Sequence, residues 1–134
     1  MRFDVIGWNF RNTPIEIRDK QALAANMQLE LGMKISRLFN VDGIVILSTC
    51  NRTEFYLVNA EQKLDLIIEM LEEYWKLNNL RQSVYTIQNL GAVRHLFRVA
   101  SSLDSMVIGE PQILGQLKES FQSFSEAGLT GKIL

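Results

Sequence analysis

The chain has 134 residues, 47% of them hydrophobic and 22% charged, which fits one globular domain with a proper apolar core. Its formal net charge of −1 excludes a broadly basic surface, so any strong contact with RNA would come from a local patch or from another domain. The single cysteine excludes an intramolecular disulfide framework and fits a reducing compartment. The sequence has no signal peptide and no apolar run of membrane-spanning length, which predicts a cytoplasmic protein without membrane contact.

The first half of the chain predicts a strand, a long helix and two further strands. Residues 2–9 predict a strand, and a turn rich in Asn and Pro closes it. Between about residues 17 and 39, apolar side chains recur at three- and four-residue steps, which predicts one continuous amphipathic helix. Residues 41–47 and 53–58 predict buried strands on either side of a polar turn, Ser48-Thr49-Cys50-Asn51-Arg52.

The second half predicts a helix, a strand and a helical end. Apolar residues between positions 64 and 75 have helical spacing, and residues 83–88 alternate as a fourth strand. The order β-α-β-β-α-β is the ferredoxin-like arrangement, so the predicted fold class is α+β. Asn89 can cap one further helix and Pro111 can open another.

These elements predict one domain over residues 1–134. Its ferredoxin-like core would occupy residues 1–88, and a small C-terminal helical extension would occupy residues 89–134. Residues 128–134 resemble the start of a further segment more than a natural tail. We therefore expect the chain to be a piece of a longer protein.

The only cysteine, Cys50, is the first candidate for chemistry. A lone cysteine can simply be a small buried hydrophobe. Cys50 instead follows Thr49 and precedes Asn51 and Arg52, which is a polar setting. If the chain is extended here, Cys50 and Arg52 project to the same side, and a nearby cation favours the nucleophilic thiolate. This setting predicts a cysteine nucleophile.

The only histidine, His95, and the arginine of the polar turn are the next candidates. His95 can be a surface or satisfied core histidine between Arg94 and Arg98. If its helix docks against the Cys50 turn, it can relay a proton or polarise a carbonyl. Arg52 can be a solvated turn residue or a bidentate clamp for a carboxylate.

A second polar segment precedes and begins the last predicted helix. Its polar side chains could cap and solvate a helix start, or they could together recognise an amino group and a carboxylate. These residues are Ser105, Glu110, Gln112 and Gln116.

Two segments of this chain together resemble glutamyl-tRNA reductase. They are Leu47-Ser48-Thr49-Cys50-Asn51-Arg52-Thr53-Glu54 and the stretch from His95 through Ser105 to Gly109-Glu110-Pro111-Gln112-Ile113-Leu114-Gly115-Gln116. The opening Gly7-Trp8-Asn9, with Pro14 and Arg18, is also similar to the start of that family, although Phe10 stands where the family often has histidine. The similarity runs the length of the chain, which resembles the family's N-terminal catalytic domain with its ferredoxin-like core.

The resemblance implies the first step of tetrapyrrole (porphyrin and haem) synthesis from glutamate. The family's nucleophile falls on Cys50, which attacks the ester carbonyl of glutamyl-tRNA and forms a thioester. A hydride from NADPH then reduces the thioester to glutamate-1-semialdehyde. His95 falls on the family's histidine beside the cysteine, as base, orienter or polariser. The positions that hold the glutamyl group fall on Thr49, Asn51, Arg52, Ser105, Glu110, Pro111, Gln112 and Gln116.

The resemblance also implies what lies outside this chain. No Gly-x-Gly-x-x-Gly fingerprint follows a strand, so we expect the NADPH-binding and dimerisation domains to be absent and the isolated domain to lack reductase activity. No metal is expected. The implied partners are glutamyl-tRNA as substrate, a second subunit in a full-length homodimer, and the downstream semialdehyde aminomutase.

Two other functions fit the residues. A free-standing thiol esterase would release glutamate from activated glutamyl esters, with water as the final acceptor. A non-enzymatic ferredoxin-like module would bind a small ligand such as an amino acid through Arg52 and Gln112, and Cys50 would be incidental. Acylation of Cys50 distinguishes these two alternatives.

Overall fold

A computed structural model describes residues 2–101, 112–131 and 134, and shows an α+β fold built on a four-stranded sheet. The strands are β1 (Phe3–Asn9), β2 (Gly43–Ser48), β3 (Arg52–Val58) and β4 (Tyr85–Gln88). Their order in the sheet is β2-β3-β1-β4, and every neighbouring pair is antiparallel. The predicted ferredoxin-like topology is confirmed.

Five α-helices accompany the sheet in the described part of the chain. They are α1 (Ile15–Gln21), α2 (Ala25–Phe39), α3 (Leu64–Trp75), α4 (Asn89–Ala100) and α5 (Gln112–Glu126). Asn89 begins α4, but its Oδ1 accepts the Phe3 N–H at 3.3 Å instead of an amide of its own helix. The predicted capping role of Asn89 is therefore wrong. Pro111, the predicted start of the last helix, lies outside the described residues.

The continuous helix predicted over residues 17–39 is also wrong, because the chain breaks between α1 and α2. Ala22 and Ala24 have extended backbones, with ψ of 131° and 159°. Between them Leu23 is buried, and its N–H donates to Ser48 Oγ at 3.1 Å. The Leu23 carbonyl accepts Gln28 Nε2 at 2.9 Å. Because side chains satisfy both backbone groups of Leu23, neither of these two groups is left unpaired, and apolar periodicity does not reveal the break.

Both faces of the sheet are covered, so all seven residues of β1 and all seven of β3 are buried. Phe55 and Tyr56 are consecutive in β3 and therefore point to opposite faces. On one face, Phe55 and Trp8 pack edge to face against Trp75 of α3. On the other, the Tyr56 ring meets Phe121 of α5 at 6.1 Å between centroids. Charged side chains of β3 lie on this second face.

Candidate active site

The Cys50 turn is a tight hairpin between β2 and β3. The Thr49 N–H donates to the Arg52 carbonyl at 2.8 Å, and Thr49 Oγ1 accepts the N–H groups of Asn51 and Arg52, each at 3.2 Å. A threonine hydroxyl that bonds nearby backbone amides is a typical turn former. Cys50 is a free, exposed cysteine in this turn, so the buried-hydrophobe alternative is wrong. The chain is not extended here, and the condition under which Cys50 would project beside Arg52 is not met.

Arg18 of α1 is a cation that contacts the Cys50 turn. Its Nη1 donates to the Cys50 carbonyl at 3.1 Å and lies 3.5 Å from Asn51 Oδ1. Its Nε donates to the Thr13 carbonyl at 3.1 Å. These bonds tie the turn to α1. The sequence indicated Arg18 only as part of the opening pattern of the family, because its contact with the turn depends on how α1 folds back.

A buried carboxylate, Glu54, connects several of the candidate residues. Its Oε2 is 3.6 Å from Arg52 Nη1 and accepts the Tyr85 hydroxyl at 2.5 Å. Its Oε1 accepts the Tyr56 hydroxyl at 2.7 Å. His95 Nε2 also contacts Oε2. Side chains from β3, β4 and α4 therefore meet at one carboxyl group.

The electrostatics of this cluster keep Glu54 ionised. Burial by itself raises the pKa of Glu54, but the His95 hydrogen bond, the charges of His95 and Arg52 and the Tyr85 hydroxyl outweigh it and lower that pKa. Burial, together with the charge of Glu54, raises the pKa of Tyr56 well above its ordinary value. Tyr56 is thus a neutral hydrogen-bond donor to a carboxylate.

The contact between Tyr85 and Glu54 crosses a whole strand, and Gly7 makes the crossing possible. Gly7 of β1 pairs with Glu54 on one side and with Tyr85 on the other. A Cβ at Gly7 would lie 2.6 Å from ring and hydroxyl atoms of Tyr85. The missing side chain therefore lets the tyrosine ring lie over β1. The same ring packs against His95, with centroids 5.6 Å apart.

The structure brings part of the predicted site together. Arg52 is 1% exposed, so it is not a solvated turn residue, and Glu54 links it to His95. The His95 side chain is 11% exposed, and its Nε2 contacts Glu54 and not the sulfur of Cys50. The predicted residues Ser105, Glu110 and Pro111 lie outside the described residues, as does the side chain of Gln112, whose backbone begins α5.

Gln116 lies at a polar cavity of about 190 Å³ formed mainly by α2 and α5. Ser48, which directly precedes Thr49 at the end of β2, lines the same cavity, as do Gln28 and Glu119. The cavity therefore joins one predicted substrate residue to the start of the Cys50 turn. Its size and polar lining suit a small polar group.

Three residues of the candidate site, Glu54, Tyr56 and Tyr85, were not predicted from the sequence. Glu54 and Tyr56 were visible as polar side chains at alternate positions of a strand predicted to be buried, a pattern that requires internal partners. Tyr85 gave no such signal, since its contact with Glu54 depends on the pairing of β4 with β1.

The described residues contain neither a candidate metal-binding cluster nor a helix that could cross a membrane. Within them, no group of three or more His, Cys, Asp or Glu side chains is arranged to hold a metal ion. None of the helices in the same part of the chain has the length and apolar character needed to cross a membrane.

The fold and the site define a ferredoxin-like α+β domain with an exposed cysteine on a hairpin turn and a buried Arg52–Glu54–His95 cluster. The sequence profile of one family, described as Glutamyl-tRNAGlu reductase, N-terminal domain, matches residues 6–134. The chain belongs to this family.

Individual relatives agree with the family profile. The chain is 39% identical over its whole length to a glutamyl-tRNA reductase of Pseudomonas fluorescens Pf-5 and 40% identical to one of Pseudomonas aeruginosa PAO1, covering 32% of each. The solved structure of glutamyl-tRNA reductase from Methanopyrus kandleri matches 97% of this chain with a TM-score of 0.76 and 29% identity, over 30% of its own length. The chain spans about a third of the length of these relatives.

Proposed function

We propose that this chain is the catalytic domain of a glutamyl-tRNA reductase and performs the first half of that reaction, the transfer of the glutamyl group from tRNA to Cys50. The observation that carries the proposal is that the only cysteine of a chain in this family lies exposed in a hydrogen-bonded turn. The sulfur attacks the ester carbonyl, a C–S bond forms, and the bond to the ribose oxygen breaks. The tRNA then leaves with a free ribose hydroxyl.

The Arg52–Glu54–His95 cluster supports the roles that the resemblance implies for two of its members. The guanidinium of Arg52 would bind the carboxylate of the glutamyl group, and ionised Glu54 keeps that guanidinium in place. His95 would act at the carbonyl that Cys50 attacks, as base, orienter or polariser. Its contact with Glu54 fixes the position of the ring.

Three more residues of the proposed glutamyl-binding set lie in the Cys50 turn or at the cavity beside it. Thr49 and Asn51 belong to the turn itself, and Gln116 lies at the adjacent cavity. The set also includes Ser105, Glu110, Pro111 and Gln112. The division into a core at residues 1–88 and a helical part at residues 89–134 stays a prediction.

The second half of the reaction would use a hydride from NADPH, and the described residues do not fit that cofactor. A phosphate cradle is a glycine-rich loop that follows a strand and opens a helix. The described glycines instead lie within strands, within helices or after α5, so none of them belongs to such a loop. The proposal for this chain therefore ends at the thioester on Cys50. NADPH, a homodimer, the aminomutase partner and a cytoplasmic location belong to the proposal for the whole enzyme, as does its place at the first step of tetrapyrrole synthesis.

The proposal is tested by incubating the chain with labelled glutamyl-tRNA and determining the intact mass of the protein. We expect a glutamyl adduct on Cys50, and we expect the adduct to be absent from Cys50→Ser because an unactivated hydroxyl is a much weaker nucleophile. An adduct on another residue, or an equal adduct in the serine variant, would contradict the proposal. A ligand-binding module would show no acylation at all.

A further inference from the structure

We propose that the turn formed by Phe10 and Arg11 is the docking site for the 3′-terminal nucleotide of the tRNA substrate. The inference rests on the proposed function and adds to it a contact outside the glutamyl group. This turn would bind the part of the substrate that leaves the enzyme after the glutamyl group is transferred.

One backbone hydrogen bond holds the Phe10–Arg11 turn next to the Cys50 turn. The Phe10–Arg11 turn follows β1, where the Arg11 N–H donates to Asn9 Oδ1 at 3.1 Å and the Thr13 N–H donates to the Asn9 carbonyl at 2.9 Å. The Phe10 N–H donates to the Asn51 carbonyl at 2.9 Å. Asn51 directly follows Cys50, so a single hydrogen bond joins the Phe10–Arg11 turn to the neighbour of the nucleophile.

The side chains of this turn have the chemistry that binds single-stranded nucleic acid. Phe10 is partly exposed and Arg11 is exposed. The guanidinium carbon of Arg11 lies 5.3 Å from the centre of the Phe10 ring, which is a cation–π arrangement. An aromatic face stacks with a base of any sequence, and a guanidinium attracts a phosphate. Arg18, bonded to the Cys50 carbonyl, adds a second cation nearby.

The covalent structure of the substrate explains why such a surface is needed at this place. The ribose of the terminal nucleotide is esterified directly to the glutamyl carbonyl. When that carbonyl reaches the sulfur of Cys50, the terminal nucleotide must lie within its own length of the Cys50 turn. A net charge of −1 provides no general attraction for RNA, so a local aromatic and basic contact is what this chain can supply.

The experiment compares three acyl donors that differ in how much of the tRNA they carry. They are glutamyl-tRNA, the glutamyl ester of adenosine, and the ethyl thioester of glutamate, which has no nucleotide. Acylation of Cys50 is followed by intact mass for the unmodified chain and for the variants Phe10→Leu, Phe10→Tyr and Arg11→Ala. Arg37→Ala removes an exposed arginine at the far end of α2 and serves as the matched charge control.

We expect Phe10→Leu to raise the concentration of glutamyl-adenosine and of glutamyl-tRNA needed for half-maximal rate by about tenfold, because leucine has no face for base stacking. Phe10→Tyr should retain the rate. Arg11→Ala should weaken the reaction with glutamyl-tRNA and reduce its salt dependence. The ethyl thioester should react equally with all variants, and Arg37→Ala should match the unmodified chain with every donor.

Three results would overturn the inference. An equal loss with all three donors would show that the Phe10–Arg11 turn only supports the Cys50 turn. Unchanged rates with both nucleotide donors in every variant would show that the nucleotide docks elsewhere, while the proposed function would stand. If no donor acylates the unmodified chain, the proposed function itself fails, and this inference fails with it.

Discussion

Glu54 is the residue on which the arrangement of the site depends. Its carboxylate is fully buried and accepts hydrogen bonds from the hydroxyl groups of two tyrosines. It also contacts the guanidinium of Arg52 and the imidazole of His95. A buried carboxylate without such partners would be neutral or strongly destabilising. The four groups and the carboxylate therefore hold one another in place. A substitution at any of them should change the positions of the Arg52 and His95 side chains.

Gly7→Ala tests this arrangement without replacing any of its polar residues. The new Cβ would overlap the end of the Tyr85 side chain, which must move and give up its hydrogen bond to Glu54. We expect a loss of about 1–2 kcal/mol in the free energy of unfolding, measured in urea. Gly115→Ala is the control: it meets nothing within 4 Å in α5 and should be neutral or stabilising. Equal stability of Gly7→Ala and the unmodified chain would contradict the account of Tyr85.

Helices α2 and α3 end in the same way, each with a residue other than glycine in the left-handed conformation. Asn40 closes α2 with φ of 52°, and Lys76 closes α3 with φ of 55°. Their N–H groups bond to carbonyls of the last helical turn, as C-terminal caps do. Asparagine tolerates this conformation better than lysine, so α3 carries the greater backbone strain at its end.

Lys76→Gly should therefore stabilise the chain. Glycine adopts a positive φ without steric cost, and the gain exceeds the entropy that glycine adds to the unfolded chain. We expect the free energy of unfolding to rise by about 0.5–1 kcal/mol in a urea titration. Lys34→Gly, at an exposed position inside α2, is the matched control and should lower it by about 1 kcal/mol. A destabilised Lys76→Gly variant would show that its side chain has a role that the cap geometry does not reveal.

Over the whole molecule, the sequence predicted the topology better than the contacts. The strand and helix order was readable because buried strands and amphipathic helices have distinct periods. The break at Leu23 was not readable, since it depends on a hydrogen bond to Ser48 from a distant strand. The polar composition of the Cys50 turn correctly predicted that Cys50 is not buried. The burial of Arg52 could not be predicted, because it requires Glu54, Tyr85 and His95 to meet across separate elements.

The stability of the whole molecule should depend on pH through Glu54. Its pKa is lowered in the folded state, so as the pH falls the unfolded chain takes up this proton first, near the ordinary value of 4.5. The contribution is therefore complete above that value and is lost as the pH falls through the folded-state pKa. We expect Glu54→Gln to be less stable than the unmodified chain at neutral pH, and we expect the difference to shrink below about pH 4.5. Urea unfolding at several pH values measures it, and a difference that stays constant would contradict the assignment.

No residue separates β4 from α4, because the strand ends at Gln88 and the helix begins at Asn89. The position of β4 in the sheet therefore also sets how α4 is rotated about its own axis. One residue inserted at this junction would turn α4 by about 100° about its axis and shift it by about 1.5 Å. Tyr85 would keep its place over Gly7, whereas His95 would rotate away from Glu54. In this domain the number of residues between Tyr85 and His95 constrains the site as strictly as the identity of either residue.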